Sequence, residues 1–333
     1  MNWALVGAST IASQYMIGAL RAQGGTVRRV VSGSADHAAR YAQEHDIPHS
    51  GTDLDAALAD EAVEAVYISS TNEKHHAQAM AAIAAGKHVL CEKPLALSLA
   101  EAREMIAAAE AAGVALGVNH HLRHAGSHRA IRETIAAGRL GRVLSLRVFH
   151  AVHLPEHLRG WRLDNPGAGG GVIPDITVHN ADTVRFLLQE DPISVVAQSA
   201  SSGMGQGVED SAMSVWSMPS GAMVFSHESF THPYTTSGLE VHGTEGSLIA
   251  RGVMAQEPEG ALELVTADGR SALPFDKTSL YETAVAGFMR AARTGKTPSA
   301  SGRDGLLSLM IALAVRQAAD SGQCQTLEYG AAT

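Results

Sequence analysis

The chain has 333 residues, and at roughly 100–200 residues per domain that length predicts two domains, each with enough material for a core. Hydrophobic residues make up 45% and charged residues 18%, which is a globular composition and not a disordered one. Acidic residues outnumber basic ones by 34 to 25, and the net charge of -9 argues against nucleic acid as a partner, because phosphate binding needs a basic footprint.

The first 120 residues alternate strand and helix. Trp3 to Ala8 is a short apolar run entering a glycine turn, and Ile11 to Ala22 reads as a helix. Val27 to Ser32 is a β-branched strand, followed by a helix over Ala35 to Glu44. Ala65–Ser69, Lys87–Cys91 and Val114–Val118 are further strands, with helices over Asn72–Ala85 and Ser98–Ala112. Such alternation indicates βαβ units on a parallel sheet, which binds ligands at the carboxyl ends of its strands. Beyond residue 120 the pattern changes. Val143–Val152, Ile193–Ala200, Ser211–Met218, Ala222–Phe230, Gly238–His242 and Leu262–Val265 are strand candidates separated by turns such as Pro219-Ser220-Gly221. Helices are expected at Thr177–Leu188, Ser279–Arg293 and Arg303–Ser321. The fold class is therefore α/β for residues 1–120, joined to an α+β domain with a mostly antiparallel sheet over 121–333. The final helix is expected to pack back on the first domain.

Three motifs carry chemistry. Gly7-Ala8-Ser9-Thr10-Ile11-Ala12 stands at the first strand-to-helix turn. A dinucleotide fingerprint wants three glycines there; Gly7 is kept, Ser9 replaces the second and Ala12 the third. At the end of the second strand an NAD site usually places Asp or Glu against the ribose 2′-hydroxyl. This chain has Ser32-Gly33-Ser34, with His37 and Arg40 following and Asp36 the one nearby carboxylate. Hydroxyl donors and cationic side chains suit a 2′-phosphate, so NADP is the expected cofactor. Cys91-Glu92-Lys93-Pro94 ends a parallel strand, where the Lys93 ammonium could stabilise charge on a substrate oxygen. Pro94 predicts an extended Lys93 that aims the side chain. Gly169-Gly170-Gly171 would let backbone pass close to a ligand, and Pro174 suits a helix start. Asp175 and His179 are then four apart on one helix face, a carboxylate placed to orient an imidazole.

The 17 histidines raise the question of a metal. His120, His124 and His128 could share a helical stripe, and His150, His153 and His157 form a second cluster. No cysteine pair or carboxylate stands beside either, and Arg123 and Arg129 oppose a cation, so no metal site is expected; the readings kept are a polar lining for a sugar pocket and plain surface histidines. Cys91 reads as a buried strand cysteine. Two cysteines make no disulfide framework, and the N-terminus lacks a charged region and cleavage site. The apolar run Leu306–Val315 is about half of a membrane span. A cytoplasmic protein without a membrane partner is expected.

Gly7 to Ala12, Glu92-Lys93-Pro94 and the Gly-Gly-Gly-x-x-x-Asp-x-x-x-His run occur in the order seen in the glucose–fructose oxidoreductase/inositol dehydrogenase (Gfo/Idh/MocA) family, which the whole chain resembles. Longer runs, including Thr71-Asn72-Glu73, Asn119-His120-His121-Leu122-Arg123 and Gly160-Trp161-Arg162-Leu163, resemble one sugar-reducing subgroup. The resemblance implies an N-terminal Rossmann domain, a C-terminal open-sheet domain, and NADPH-dependent reduction of the 2-keto group of 1,5-anhydro-D-fructose to 1,5-anhydro-D-mannitol. It implies Lys93, Asp175 and His179 as catalytic residues. As cofactor contacts it implies Ser9, Thr10, Ile11, Ser32, Gly33, Ser70, Thr71, Asn72, Glu73, Lys74, His75, Glu92, Lys93, Asn119, Trp161, Arg162 and Tyr281. The chain departs from the subgroup pattern at His37, where an arginine would meet the 2′-phosphate.

Two other readings stand beside this one: an NAD(P)-dependent sugar or inositol dehydrogenase of the same family, and a non-catalytic sugar sensor. The sensor would be expected to lack Lys93 or His179. The open sheet face is expected to be small and polar, through Gln198, Ser199, Ser201, Ser211, Ser214, Ser217, Ser226, Glu228 and Ser229, with Trp216, Val224 and Phe225 in the core. Together with 5% aromatic content, this predicts a monomer or weak homodimer.

Overall fold

The computed structural model describes residues 1–330, which divide into two compact units. The first comprises Met1–His121 and Tyr281–Leu306; the second comprises Leu122–Leu280 and the residues from Leu307 onward. A single cut at 120/121 therefore leaves out two crossings, at 280/281 and 306/307. The segment that returns to the first unit is not the bulk of the final helix. It is the helix before it, together with the first residues of the last one.

Six strands form the first sheet: β1 (Asn2–Val6), β2 (Thr26–Val31), β3 (His49–Gly51), β4 (Ala65–Ile68), β5 (His88–Cys91) and β6 (Leu116–Val118). Their spatial order is β3-β2-β1-β4-β5-β6, every pair parallel. This order reverses direction beside β1, so a crevice opens at the carboxyl ends of β1 and β4. The sheet is apolar because helices cover both faces; Trp3 to Val6 and Ala65 to Ile68 are almost wholly buried. A π-helical turn (Ala12–Met16) leads into α1 (Ile17–Ala22). α2 (Ala35–Glu44), α3 (Leu54–Leu58), α4 (His75–Ala84) and α5 (Leu99–Ala112) follow. Serine capping sets the last of these. Ser98 and Glu101 form a reciprocal capping box, and Gly113 ends the helix at φ +67°. The short β3 and α3 were not expected, because His-Ser-Gly carries no β-branched residue.

The second unit holds α6 (Gly126–Ala136), β7 (Val143–Ala151), α7 (Trp161–Asp164) and a π-helical turn (Ile173–Thr177) that runs into α8 (Val178–Leu188). β8 (Ser194–Ala200), β9 (Ser211–Ser217), β10 (Met223–Ser229), β11 (Gly238–Gly243), β12 (Gly246–Arg251), β13 (Ala261–Thr266) and β14 (Gly269–Ala272) follow. Then come α9 (Leu280–Thr294), which belongs to the first unit, α10 (Gly302–Ser321) and β15 (Gln325–Thr326). The nine-stranded sheet runs β14-β13-β12-β11-β7-β10-β9-β8-β15. All its pairs are antiparallel except β7 with β10. In the first unit, α9 seats Phe288 against Trp3, ring centroids 5.6 Å apart, and against Gly117, where an added Cβ would meet the Phe288 ring at 2.8 Å.

The face assignment of the second sheet reverses the expectation. Ser214, Ser226, Glu228 and Ser229, expected outward, are buried, and Phe225, expected in the core, lies with Val196, Met213, Val215 and Met223 at 39–60% exposure on the outer face; Gln198, Ser199 and Ser217 are exposed as expected. Trp216 and Val224 are buried as expected. The serine-rich outer face from which a monomer or weak homodimer was argued is thus corrected to an apolar one. The histidine stripe is corrected as well: His121–His124 is a separate 3₁₀ turn, and α6 starts only at Gly126. Among the described residues no helix is long and apolar enough to cross a membrane, and no group of three or more His, Cys, Asp or Glu side chains is placed to hold a metal ion.

The buried pair between Arg123 and Asp182 ties the segment before α6 to α8. Arg123 Nε lies 2.9 Å from Asp182 Oδ2, and Nη2 meets Oδ1 in the second limb of a bidentate contact. The side chains are 7% and 2% exposed, so removing one partner strands a desolvated charge. Arg123→Ala should destabilise the fold by about 3–5 kcal/mol, read as a lowered urea midpoint. A midpoint unchanged from wild type would show that the pair does not hold α8.

Candidate active site

In the first unit, the β1–helix turn is shaped for close approach. Gly7 has φ +110°, and a Cβ there would sit 2.7 Å from Ser70 N and 2.8 Å from Ser69 C. Only glycine fits. Ser9 Oγ donates to Ser69 Oγ at 2.7 Å and accepts from Ala12 N at 3.2 Å, so its hydroxyl ties the turn to the β4 end. Tyr41 OH fixes the same turn by donating to Ser9 O at 2.9 Å. The turn leads directly into a helix N-terminus, whose free N–H groups and dipole favour a phosphate. Thr10 is exposed there.

At the end of β2, Ser32 Oγ and His37 Nδ1 are 3.3 Å apart. Ser34 caps α2 by accepting from His37 N at 3.4 Å. Gly33, Ser34, His37 and Arg40 are exposed. The two residues expected to select the cofactor are therefore brought together, in a polar, open corner.

The Glu92-Lys93-Pro94 edge is built on a buried carboxylate. Glu92 Oε1 accepts from Tyr67 OH at 2.5 Å and from Asn119 Nδ2 at 2.6 Å. These bonds join the ends of three neighbouring strands, β4, β5 and β6. The Lys93–Pro94 peptide is cis, which the extended-chain expectation had not foreseen. His75 bridges from α4, with Nδ1 2.8 Å from Pro94 O and Nε2 3.2 Å from Ser70 O. Burial pulls its pKa below the ordinary imidazole value. Burial also raises the Cys91 thiol well above its usual pKa, which leaves it inert as expected. Asn72 is buried, while Thr71, Glu73 and Lys74 line a more open 3₁₀ turn. Tyr281, from α9, is stacked between Tyr15 (centroids 4.9 Å) and His121 (5.3 Å).

In the second unit, Asp175 lies in the π-helical turn and His179 in the first turn of α8. Such π insertions concentrate at functional positions. Asp175 Oδ1 is 3.5 Å from Arg162 Nε, and the Arg162 guanidinium lies 4.5 Å over the Trp161 ring. Two glycines of the run close on neighbouring protein. A Cβ on Gly170 would meet Trp161 O at 2.6 Å, and Gly171, at φ +108°, closes on Glu209. Gly171 N donates to Arg162 O at 2.8 Å. Gly170 and Gly171 thus clamp the Trp161–Arg162 turn onto the segment carrying Asp175.

Sequence reasoning missed the polar side chains behind His179. His150 on β7, Asn180 on α8, and Ser226 and Glu228 on β10 are linked by hydrogen bonds of 2.6–3.3 Å. The signal was present: Glu228 shares strand parity with the core residue Val224, so a carboxylate falls in an inward register.

Comparison with known proteins agrees with this construction. Residues 1–120 match the oxidoreductase family with NAD-binding Rossmann fold, and residues 128–249 match the GFO/IDH/MocA C-terminal domain. The chain is 55% identical to 1,5-anhydro-D-fructose reductase of Ensifer adhaerens over 99% of both chains. It is 30% identical to D-xylose 1-dehydrogenase (NADP(+)) 2 of Haloferax volcanii over 98% of this chain and all of that one. Among solved structures, the aldose-aldose oxidoreductase of Caulobacter crescentus shares the fold with a TM-score of 0.91 at 23% identity, covering 98% and 99% of the two chains. The cofactor class is therefore a nicotinamide dinucleotide, which the Gly7 cradle and the Ser9–Thr10 helix start fit. The chain belongs to the GFO/IDH/MocA oxidoreductase family.

Proposed function

We propose that the chain is an NADPH-dependent sugar reductase that reduces the 2-keto group of 1,5-anhydro-D-fructose to 1,5-anhydro-D-mannitol. The observation that carries this reading is 55% identity over 99% of both chains to a 1,5-anhydro-D-fructose reductase. Gly7, Ser9, Thr10 and Ile11 would hold the pyrophosphate. Ser32, Gly33 and His37 would take the adenosine ribose and its 2′-phosphate. Ser70 to His75, Glu92, Asn119 and Tyr281, with Trp161 and Arg162, would position the remainder. NADPH over NADH is supported by Ser32 and His37 standing 3.3 Å apart at the end of β2, where a carboxylate would favour the free ribose hydroxyl.

When bound, the reduced nicotinamide supplies the hydride. The chain's own residues then manage charge and proton. A ketone under reduction develops negative charge on oxygen, and Lys93 stabilises it electrostatically. His179 gives the proton, and Asp175, braced by Arg162, orients the imidazole. Removing a group that acts mainly on the transition state lowers kcat more than it raises KM.

The full-length likeness to a D-xylose dehydrogenase keeps one rival reading, an oxidative sugar dehydrogenase. Turnover on a panel of ketoses and polyols with NADPH and NADP⁺ separates the two. The panel is expected to return 1,5-anhydro-D-fructose as the best substrate, and a preferred aldose or polyol in the oxidative direction would replace the proposal. Lys93→Ala and His179→Ala should each lower kcat on the order of 100-fold, and near-normal turnover in either would remove that residue from the mechanism. Ser32→Asp should shift the NADPH/NADH ratio of kcat/KM toward NADH; an unchanged ratio would place Ser32 away from the ribose. Gly7→Ala should weaken NADPH binding by at least about tenfold, because the added carbon meets backbone and the φ is strained. Nucleotide fluorescence titration measures it, and full affinity would show that the pyrophosphate lies elsewhere.

A further inference from the structure

Behind His179, within the second unit, lies a buried polar chain that the motifs did not announce. Asn180 is 0% exposed on α8, and Ser226 and Glu228, also 0% exposed, face it from β10. Asn180 Nδ2 donates to Ser226 Oγ at 3.0 Å and to Glu228 Oε1 at 2.9 Å. Ser226 Oγ donates to Glu228 Oε1 at 2.6 Å. An ionised carboxylate only accepts, so it draws the amide nitrogen of Asn180 toward β10. The amide oxygen is then turned to β7, where Asn180 Oδ1 lies 3.3 Å from His150 Nδ1. Facing an acceptor, Nδ1 must carry the ring proton, and in the neutral ring Nε2 then has none. The His150 ring lies beside that of His179, centroids 6.1 Å apart and tilted by 45°.

We propose that Asn180, Ser226 and Glu228 are positioning residues that fix His150 as its Nδ1–H tautomer, so that the ring beside His179 keeps Nε2 as its proton-accepting nitrogen. The proposal rests on His179 as the proton donor. A neutral neighbour with a fixed lone pair stabilises the imidazolium form of His179, which is the form able to give a proton. Asn180 and Ser226 both bond the same oxygen of Glu228, and the amide so held presents one defined acceptor to one ring.

The surrounding charges fit this role. His128, from α6, is 0% exposed, and burial pulls its pKa down to about 4, so it stays neutral. Asp182, further along α8, is engaged by Arg123. His227 alternates to the other face of β10, where it packs against Phe149 and His232. Burial pushes the Glu228 carboxyl up to about 7. Above that pH the carboxylate is ionised and the tautomer is held. Below it the protonated carboxyl can donate to Asn180 Oδ1, which turns the amide round so that Nδ2 faces His150 Nδ1 and selects the Nε2–H tautomer instead.

Long-range ¹⁵N spectra of the histidine rings, recorded on the full chain at about pH 8, read the tautomer directly. His150 as Nδ1–H is the expected result, and His150 as Nε2–H overturns the proposal whatever the variants do. Asn180→Leu should mix the tautomers and lower kcat on the best ketone substrate on the order of tenfold, with KM within about twofold. An unchanged kcat, or a KM that rises as much as kcat falls, counts against it. Should that variant not fold, Glu228→Gln decides: in wild type the His150 tautomer should change as pH falls through about 7, in Glu228→Gln the ¹⁵N spectra should lose that change, and its persistence in the variant refutes the role of Glu228. The spectra report on His150 whether or not His179 is the donor, so failure here and failure of His179→Ala remain distinct results.

Discussion

The carboxylate of Glu92 is the contact on which the nucleotide half of this protein depends. Placing it at 9% exposure is costly unless its oxygens are hydrogen-bonded. Tyr67 and Asn119 satisfy one oxygen from the flanking strands, and the Lys93 amide lies 3.4 Å from the other. The cost of burial is thereby converted into registration: β4, β5 and β6 cannot shift along one another without breaking these bonds. Lys93 leaves the sheet from a fixed origin, and the His75 bridge to Pro94 O fixes the chain that follows. Deep burial also pushes the Tyr67 hydroxyl well above its ordinary pKa, so the donor cannot become a second anion beside Glu92.

The second unit uses the same device. Glu228 is buried two side chains behind His150, and its oxygen is satisfied by Ser226 and Asn180. Both units thus place a desolvated carboxylate beneath the group proposed to act, and both surround it with neutral donors rather than with a lysine or arginine. A cation there would form an ion pair and neutralise the influence of the carboxylate. Neutral donors leave its orienting effect on neighbouring dipoles intact. Arg123–Asp182, by contrast, is a closed ion pair, and its role is to anchor α8.

Much of this was legible in the sequence. The parallel sheet followed from apolar runs alternating with helical periodicity, and its 3-2-1-4-5-6 order placed the Gly7 turn and the Lys93 edge at neighbouring strand ends. Ser32 and His37 could be paired because one ends a strand and the other lies in the first turn of the next helix. The function of Gly169–Gly171 was not legible, because a glycine run states only that backbone comes close, not to what. Here the answer is Trp161 O and the Glu209 carboxylate. The return of α9 to the first unit was equally invisible, since it depends on Phe288 meeting Trp3 and Gly117 at a separation of more than 150 residues.

The reversed faces of the second sheet have a physical cause that joins fold to site. A sheet covered on one side normally turns its apolar residues inward and its polar ones outward. β9 and β10 do not obey this: Ser214, Ser226 and Glu228 point inward with Trp216 and Val224, while Met213, Val215, Met223 and Phe225 point out. The inward serines are consumed locally. Ser214 Oγ accepts from Trp216 Nε1 at 2.8 Å, and Ser226 serves Glu228 and Asn180. Polar residues are tolerated on the covered face because α8 supplies the matching side chain, Asn180, from the residue next to His179. A rule based on burial alone assigns every serine outward. The sheet departs from that rule where its inner face supports the histidines instead of serving only as a hydrophobic floor.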